Sequence, residues 1–193
     1  MKMSKLGYFA EFFLFPPLVA FAALLAFRGQ ATPKLVIWTL VYCGGLVGWT
    51  LIEYVFHRLI FHHAPVISRI HDDHHRNPRE LIGTPAWASV SIGVIGVASP
   101  AWASLGFALG TAAAAGLVTG YLWYVFVHYA THHFEPRRGS YLYRARLRHN
   151  LHHHMSDGGN FGVTTGLWDR LFGTAITGRK EDRAAQPFES LRA

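Results

Sequence analysis

The chain has 193 residues, of which 51% are hydrophobic and only 15% charged, with a net charge of +7. That length predicts one domain over 1–193, and the apolar balance excludes an ordinary soluble fold in favour of a membrane protein. The single cysteine, Cys43, excludes an internal disulfide. The basic residues lie between apolar stretches rather than along one soluble face, so the charge points to a membrane surface and not to nucleic acid.

Taken in order, the first apolar run covers 6–27, with Pro16 and Pro17 predicting a kink and Glu11 near its polar edge. It lacks a small-residue cleavage site and is expected to be retained. A second run covers 35–56. From Ala86 to Val127 no charged residue occurs, which is enough for two spans, 86–104 and 106–127, with a fold-back expected at "ASPAW", 98–102. Four spans place both termini on one side of the membrane. That side carries Lys2, Lys5, Arg58, Arg69, Arg76, Arg79 and the ten Lys and Arg from Arg137 to Arg192, whereas the first loop has only Arg28 and Lys34. The basic side is therefore expected to be cytoplasmic.

All 13 histidines lie between His57 and His154, in His-rich parts at 57–80 and 128–178 that adjoin spans two and four on the basic side. They form four groups: "HRLIFHH", "HDDHH", "HYATHH" and "HNLHHH". Spacings of three and four bring imidazoles to one face of a helix. His57 and His62, five apart, diverge on an ideal helix and predict that span two ends or distorts between them. Neutral imidazole is the commonest transition-metal ligand, and about ten of them exceed what one ion coordinates, so two metals are expected. The expected fold is an all-α integral membrane protein, about four transmembrane helices with a cytoplasmic His-rich helical cap.

The motifs "HRLIFH", "HDDHH", "HYATHH" and "RHNLHHHMSDGGNFGVTTGLWDRLFGT" resemble the fatty acid hydroxylase and sterol desaturase superfamily, from about Glu53 to Thr174. The last box and its "FGVTTGLWDRLFGT" tail are most similar to the fatty acid 2-hydroxylase branch. The resemblance implies ten metal ligands: His57, His62, His71, His74, His75, His128, His132, His149, His152 and His153. His63, His133 and His154 fall outside the pattern. The resemblance further implies two iron ions, with zinc as a substituted form, O2 as co-substrate and hydroxylation of a lipid acyl chain. The alternatives are a sterol or other lipid oxidase or desaturase of the same superfamily and, in another class, a membrane metal transporter or metal-binding protein. No globular unit is expected before the first span, unlike 2-hydroxylases with a fused cytochrome b5. The electrons are therefore expected from a separate donor such as cytochrome b5 or ferredoxin.

Three carboxylates are candidates for holding the ligands. Glu53, four before His57, would accept an imidazole N–H or pair with Arg58. Asp72 sits inside a His box, exposed or bonded to a ligand. Asp169 belongs to the tail, where it, Asp157 and Asn160 are expected to be structural around a Gly-dependent turn. Trp87, Trp123, Tyr124 and Phe126 are expected as bilayer anchors or as pocket lining.

Overall fold

The computed structural model describes residues 2–28, 34–154 and 158–176. Within them the chain is helical: α1 (Lys5–Phe9), α2 (Glu11–Arg28), α3 (Leu35–Val55), α4 (Pro65–Arg76), α5 (Ala86–Ser91), α6 (Ser99–His133), α7 (Tyr141–His154) and α8 (Leu167–Leu171). A π-helical turn, Phe56–Phe61, extends α3, and a second, Ile92–Ala98, joins α5 to α6. Among the described residues the only β feature is an isolated bridge between Lys2 and Ile82.

Three helical stretches are long and apolar enough to cross a membrane: Lys5–Arg28, Leu35–Phe61 and Ala86–His133. Their large side chains include exposed Phe13, Leu40 and Ile95, the arrangement expected of surfaces solvated by lipid rather than water. Pro16 and Pro17 are accommodated inside α2.

The chain divides into two compact units. The first comprises 1–51 and 80–123. Here α3 and α6 approach backbone to backbone through small residues, the way apolar helices associate where hydrophobic burial offers no gain. A Cβ on Gly116 would collide with the Tyr42 carbonyl, and one on Gly45 would lie 2.5 Å from that of Ala113. Glu11 is buried and accepts a 2.6 Å hydrogen bond from the Tyr121 hydroxyl.

The expected fold-back at 98–102 is displaced. Residues 99–102 are helical, and the backbone leaves the helix at Gly106, with φ 74° and ψ 167°. Pro100 lies inside a continuous helical run, directly after the π-helical turn Ile92–Ala98 that accommodates its missing N–H, whereas the backbone conformation at Gly106 is open essentially to glycine alone. The two sides of the break then meet: Trp102 Nε1 donates to Thr111 Oγ1 at 3.1 Å, and a Gly110 Cβ would lie 2.6 Å from the Ala101 carbonyl.

The second unit comprises 52–79 and 124–193. Its apolar centre is Val127 of α6, Ala145 of α7 and Val163 of the tail, all buried, with Tyr124, Phe126 and Leu142 packed on them. Gly139, at φ 79°, turns the chain between α6 and α7. The unit also carries every histidine in the protein.

Candidate metal centre

Helix α3 does not end cleanly before the first His box. It widens into the π-helical turn Phe56–Phe61, whose i→i+5 bonding brings residues five apart to one side. His57 and His62 therefore stack with ring centroids 5.4 Å apart, which is the distortion their spacing predicts. On α4, His71 and His75 are one turn apart and His74 points between turns. The pattern repeats on α7 with His149 and His153 against His152, and α6 supplies His128 and His132.

These ten imidazoles form two groups of five, His57, His62, His71, His75 and His152 in one and His74, His128, His132, His149 and His153 in the other. Within each group one nitrogen per residue lies within 4.8 Å of all the others. Two of the four boxes are thus split: the i,i+4 pair of α4 enters the first cluster and His74 the second, while α7 gives one to the first and two to the second. This partition was not legible from spacing, because it depends on which neighbouring helix each face meets. His63, His133 and His154 are exposed and belong to neither group.

The donor set fits cations. His57 donates its Nδ1–H to the Phe161 carbonyl at 2.6 Å, and His152 donates its own to the Gly159 carbonyl at 2.9 Å. Their Nε2 atoms are then lone pairs, and these face further imidazole nitrogens: His71 Nε2 at 3.1 Å from His57 and His62 Nε2 at 3.2 Å from His152. In the second cluster the Nε2 atoms of His132 and His153 lie 2.9 and 3.0 Å from that of His149, and neither nitrogen of His74 has a partner among the described residues. Protonation cannot fill these clusters. Burial first, and then the neighbouring imidazoles, push His74 and His75 down to about 4 and His152 to about 3. The same causes lower His62, His71, His149 and His153. Converging neutral imidazoles in a buried site suit a transition metal.

The tail forms a brace around the first cluster. Gly158 (φ 61°) and Asn160 (φ 55°) take left-handed conformations that aim the Gly159 and Phe161 carbonyls at the imidazoles. Asp169, on α8, accepts from the amides of Phe161 and Gly162, both at 2.8 Å, and from Thr174 Oγ1 at 2.8 Å. Asn160 Oδ1 accepts from the Ile176 amide at 2.9 Å. Asp157 lies outside the described residues.

Glu53 does neither of the things its spacing predicts. Its carboxylate accepts from the amides of Val163 and Thr164, at 2.6 and 2.9 Å, and from Thr164 Oγ1 at 2.6 Å. Arg58 instead donates to the Tyr54 hydroxyl, itself 3.0 Å from Thr174 Oγ1. The reason is that the tail returns to lie on the end of α3, and its buried amides need an acceptor more than a neighbouring guanidinium does. Asp72 is exposed, as is Asp73 beside it, and its charge opposes the lowering at His62 and His75. Trp87 is 75% and Trp123 48% exposed, as bilayer anchors would be. Tyr124 stacks on His128 with centroids 5.7 Å apart.

Comparison with known proteins agrees with this geometry. A fatty acid hydroxylase family model matches residues 42–174. Human fatty acid 2-hydroxylase is 36% identical over 138 residues, covering 65% of this chain and 37% of that protein. The Arabidopsis thaliana dihydroceramide fatty acyl 2-hydroxylase FAH2 is 29% identical over 174 residues, 82% of this chain and 69% of the relative. A solved structure titled full-length scs7p, with only the hydroxylase domain visible, superposes with a TM-score of 0.77 at 23% identity, covering 96% of this chain and 69% of that one. The chain spans less than two-fifths of the length of the mammalian relatives it matches, 38% for that of Macaca fascicularis. With the family model covering well over half of its residues, the chain belongs to the fatty acid hydroxylase family.

Proposed function

We propose that the protein is a membrane di-iron monooxygenase that hydroxylates a lipid acyl chain, in the manner of a fatty acid 2-hydroxylase. The observation that carries the reading is the pair of five-imidazole clusters, which contain no carboxylate. The names of the relatives, fatty acid 2-hydroxylases and dihydroceramide fatty acyl 2-hydroxylases, support an acyl-chain substrate.

The first cluster would hold one ion through His57, His62, His71, His75 and His152, and the second would hold the other through His74, His128, His132, His149 and His153. Bound iron supplies the redox chemistry by which a C–H bond, O2, two electrons and two protons become C–OH and water; zinc, which has no redox chemistry, is a substituted form. The protein's part is geometric and electrostatic. Neutral imidazoles leave the ions' positive charge unbalanced, which favours acceptance of electrons, unlike the carboxylate-rich di-iron bundles. Buried Val127, Ala145 and Val163 form the apolar centre of the unit that carries the clusters.

In the membrane, the stretch Ala86–His133 crosses twice, since 48 residues at about 1.5 Å rise are more than twice a hydrocarbon thickness of about 30 Å. The resulting four spans put both His-rich parts and both termini on the basic, cytoplasmic side. A separate carrier such as cytochrome b5 or ferredoxin delivers the electrons. A recess lined by Arg79, His132, His133, Phe134, Glu135 and Arg146 supports this, because it exposes a proposed ligand beside two arginines that would pair with an acidic carrier.

The test is metal content per chain on protein purified from iron-supplemented cells, alongside a His74→Ala variant and a lipid mass profile of the expressing cells. Two metals per chain and a lipid product one oxygen heavier, the product lost in the variant, support the reading. One metal or none with unchanged lipids overturns it in favour of a metal transporter or metal-binding protein.

A further inference from the structure

The two clusters differ in how their imidazoles are held. In the first, both tail contacts run through single peptide units. The Phe161–Gly162 peptide accepts from His57 Nδ1 at its carbonyl and donates to Asp169 Oδ2 at its N–H, at 2.6 and 2.8 Å. The Gly159–Asn160 peptide accepts from His152 Nδ1 at its carbonyl and donates to the Thr174 carbonyl at its N–H, at 2.9 and 3.0 Å. Each peptide is clamped at both ends, which fixes ring orientation and tautomer together.

The two clamps share an anchor. Thr174 donates to the Asp169 carboxylate through its hydroxyl at 2.8 Å and to the Asp169 backbone carbonyl through its amide at 2.8 Å. Glu53 holds the next two amides of the same loop. Position 162 has no room for a side chain, since a Cβ on Gly162 would collide with the Thr165 carbonyl and crowd Asp169. In the second cluster, by contrast, Nδ1 of His74, of His149 and of His153 has no partner among the described residues.

We propose that Asp169 is a positioning residue for the first cluster alone, acting on His57 through the Phe161–Gly162 peptide and on His152 through Thr174, and that this makes the first cluster the tighter of two unequal metal positions. The proposal rests on the two-metal reading above. A ligand imidazole whose outer N–H is committed to an acceptor loses less freedom on binding and is a better donor; loss of such a partner costs about 10–100-fold in metal affinity. The carbonyl of a peptide whose N–H is bound to a carboxylate is also a stronger acceptor, because hydrogen bonds in a chain polarise one another. Two imidazoles of the first cluster are so held, whereas Nδ1 of His74, His149 and His153 in the second has no acceptor among the described residues.

The experiment is a Co2+ titration of metal-free full-length protein in detergent, followed by visible absorption and by equilibrium dialysis. Four proteins are compared: wild type, His62→Ala, His153→Ala and Asp169→Asn. The expected wild-type result is two classes of one ion each. His62→Ala loses the tight class and His153→Ala the weak one, while Asp169→Asn weakens the tight class about 10–100-fold and leaves the weak class and its spectrum unchanged. A residue that merely supports the fold would weaken both classes together, and that result overturns the proposal, as does equal affinity at the two positions in wild type. Binding of fewer than two Co2+ ions by wild type overturns the two-metal reading itself, and the inference with it. Two further measurements hold if Asp169→Asn does not fold. Thr174→Val, which removes one donor from Asp169, should weaken the tight class alone, and a chelator should strip His62→Ala faster than His153→Ala; the reverse order overturns the proposal.

Discussion

His57 Nδ1 donates to the Phe161 carbonyl at 2.6 Å across 104 residues of sequence, so the tail that follows the last His box completes the setting of the first. Glu53 is the residue that makes this return stable. It lies one helical turn before His57 and accepts three hydrogen bonds from Val163 and Thr164.

Glu53→Ala should therefore destabilise the protein by about 3 kcal/mol or more, since it strands buried donors that each cost about 1–3 kcal/mol when unpaired. Glu53→Gln should fall between, because an amide still offers one accepting oxygen. Thermal unfolding of the two variants in detergent checks the order, and an Ala variant as stable as wild type would show that the tail docks by packing alone.

The histidines separate by burial as well as by pattern. Replacing His63, His133 or His154 by alanine, all exposed, should leave metal content unchanged and move the unfolding temperature by little, as surface changes within about 0.5 kcal/mol do. Replacing His71, whose Nε2 lies 3.1 and 2.9 Å from those of His57 and His75, should remove one metal per chain. Elemental analysis of the four variants decides it, and loss of metal from any exposed-histidine variant would redraw the ligand set.

Acid should unfold the metal-free protein through these same groups. In the folded chain His74 and His75 are held at about 4 by burial and by neighbouring imidazoles, against about 6.5 when unfolded. The unfolded chain thus binds protons that the folded chain refuses, so stability falls as pH drops below about 6.5, and this loss is complete near pH 4, where the folded groups protonate too. Bound metal moves in the same direction, since protons compete for its ligands. The unfolding temperature of metal-free protein measured from pH 7.5 to 4.5 should decline throughout the lower part of that range, and His74→Ala should flatten the decline. A pH-independent midpoint would contradict the burial of these imidazoles.

The histidine boxes and the apolar runs were legible because both are periodic, and a period survives without knowledge of partners. His57 and His62 even announced their π-helical turn by being five apart. What was hidden depended on chain return. Glu53 looked like a partner for His57 or Arg58 because those are its sequence neighbours, yet the tail 110 residues away supplies its donors. The Phe161 and Gly159 carbonyls carry no side-chain signature at all; the only available trace was the glycine-rich "GGNFG", which marks unusual backbone without saying where it points. The fold-back was misplaced for a similar reason: Pro100 is the more visible breaker, but the residue that takes an inaccessible conformation is Gly106.

Three glycine-to-alanine changes in the apolar unit separate backbone freedom from space. At Gly106 an added Cβ meets nothing within 4 Å, so the whole cost of Gly106→Ala is the φ of 74°, about 1–3 kcal/mol. At Gly116 the backbone is helical and the cost is steric, because the Cβ would collide with the Tyr42 carbonyl and force α3 and α6 apart. At Gly44 the backbone is helical and the space open, so alanine should stabilise by about 0.5–1 kcal/mol through the entropy it removes from the unfolded chain. Unfolding midpoints in detergent should therefore rank Gly44→Ala above wild type and both other variants below it. If Gly106→Ala proved neutral, residues 99–133 would be running as one uninterrupted helix, and the stretch Ala86–His133 could not cross the membrane twice.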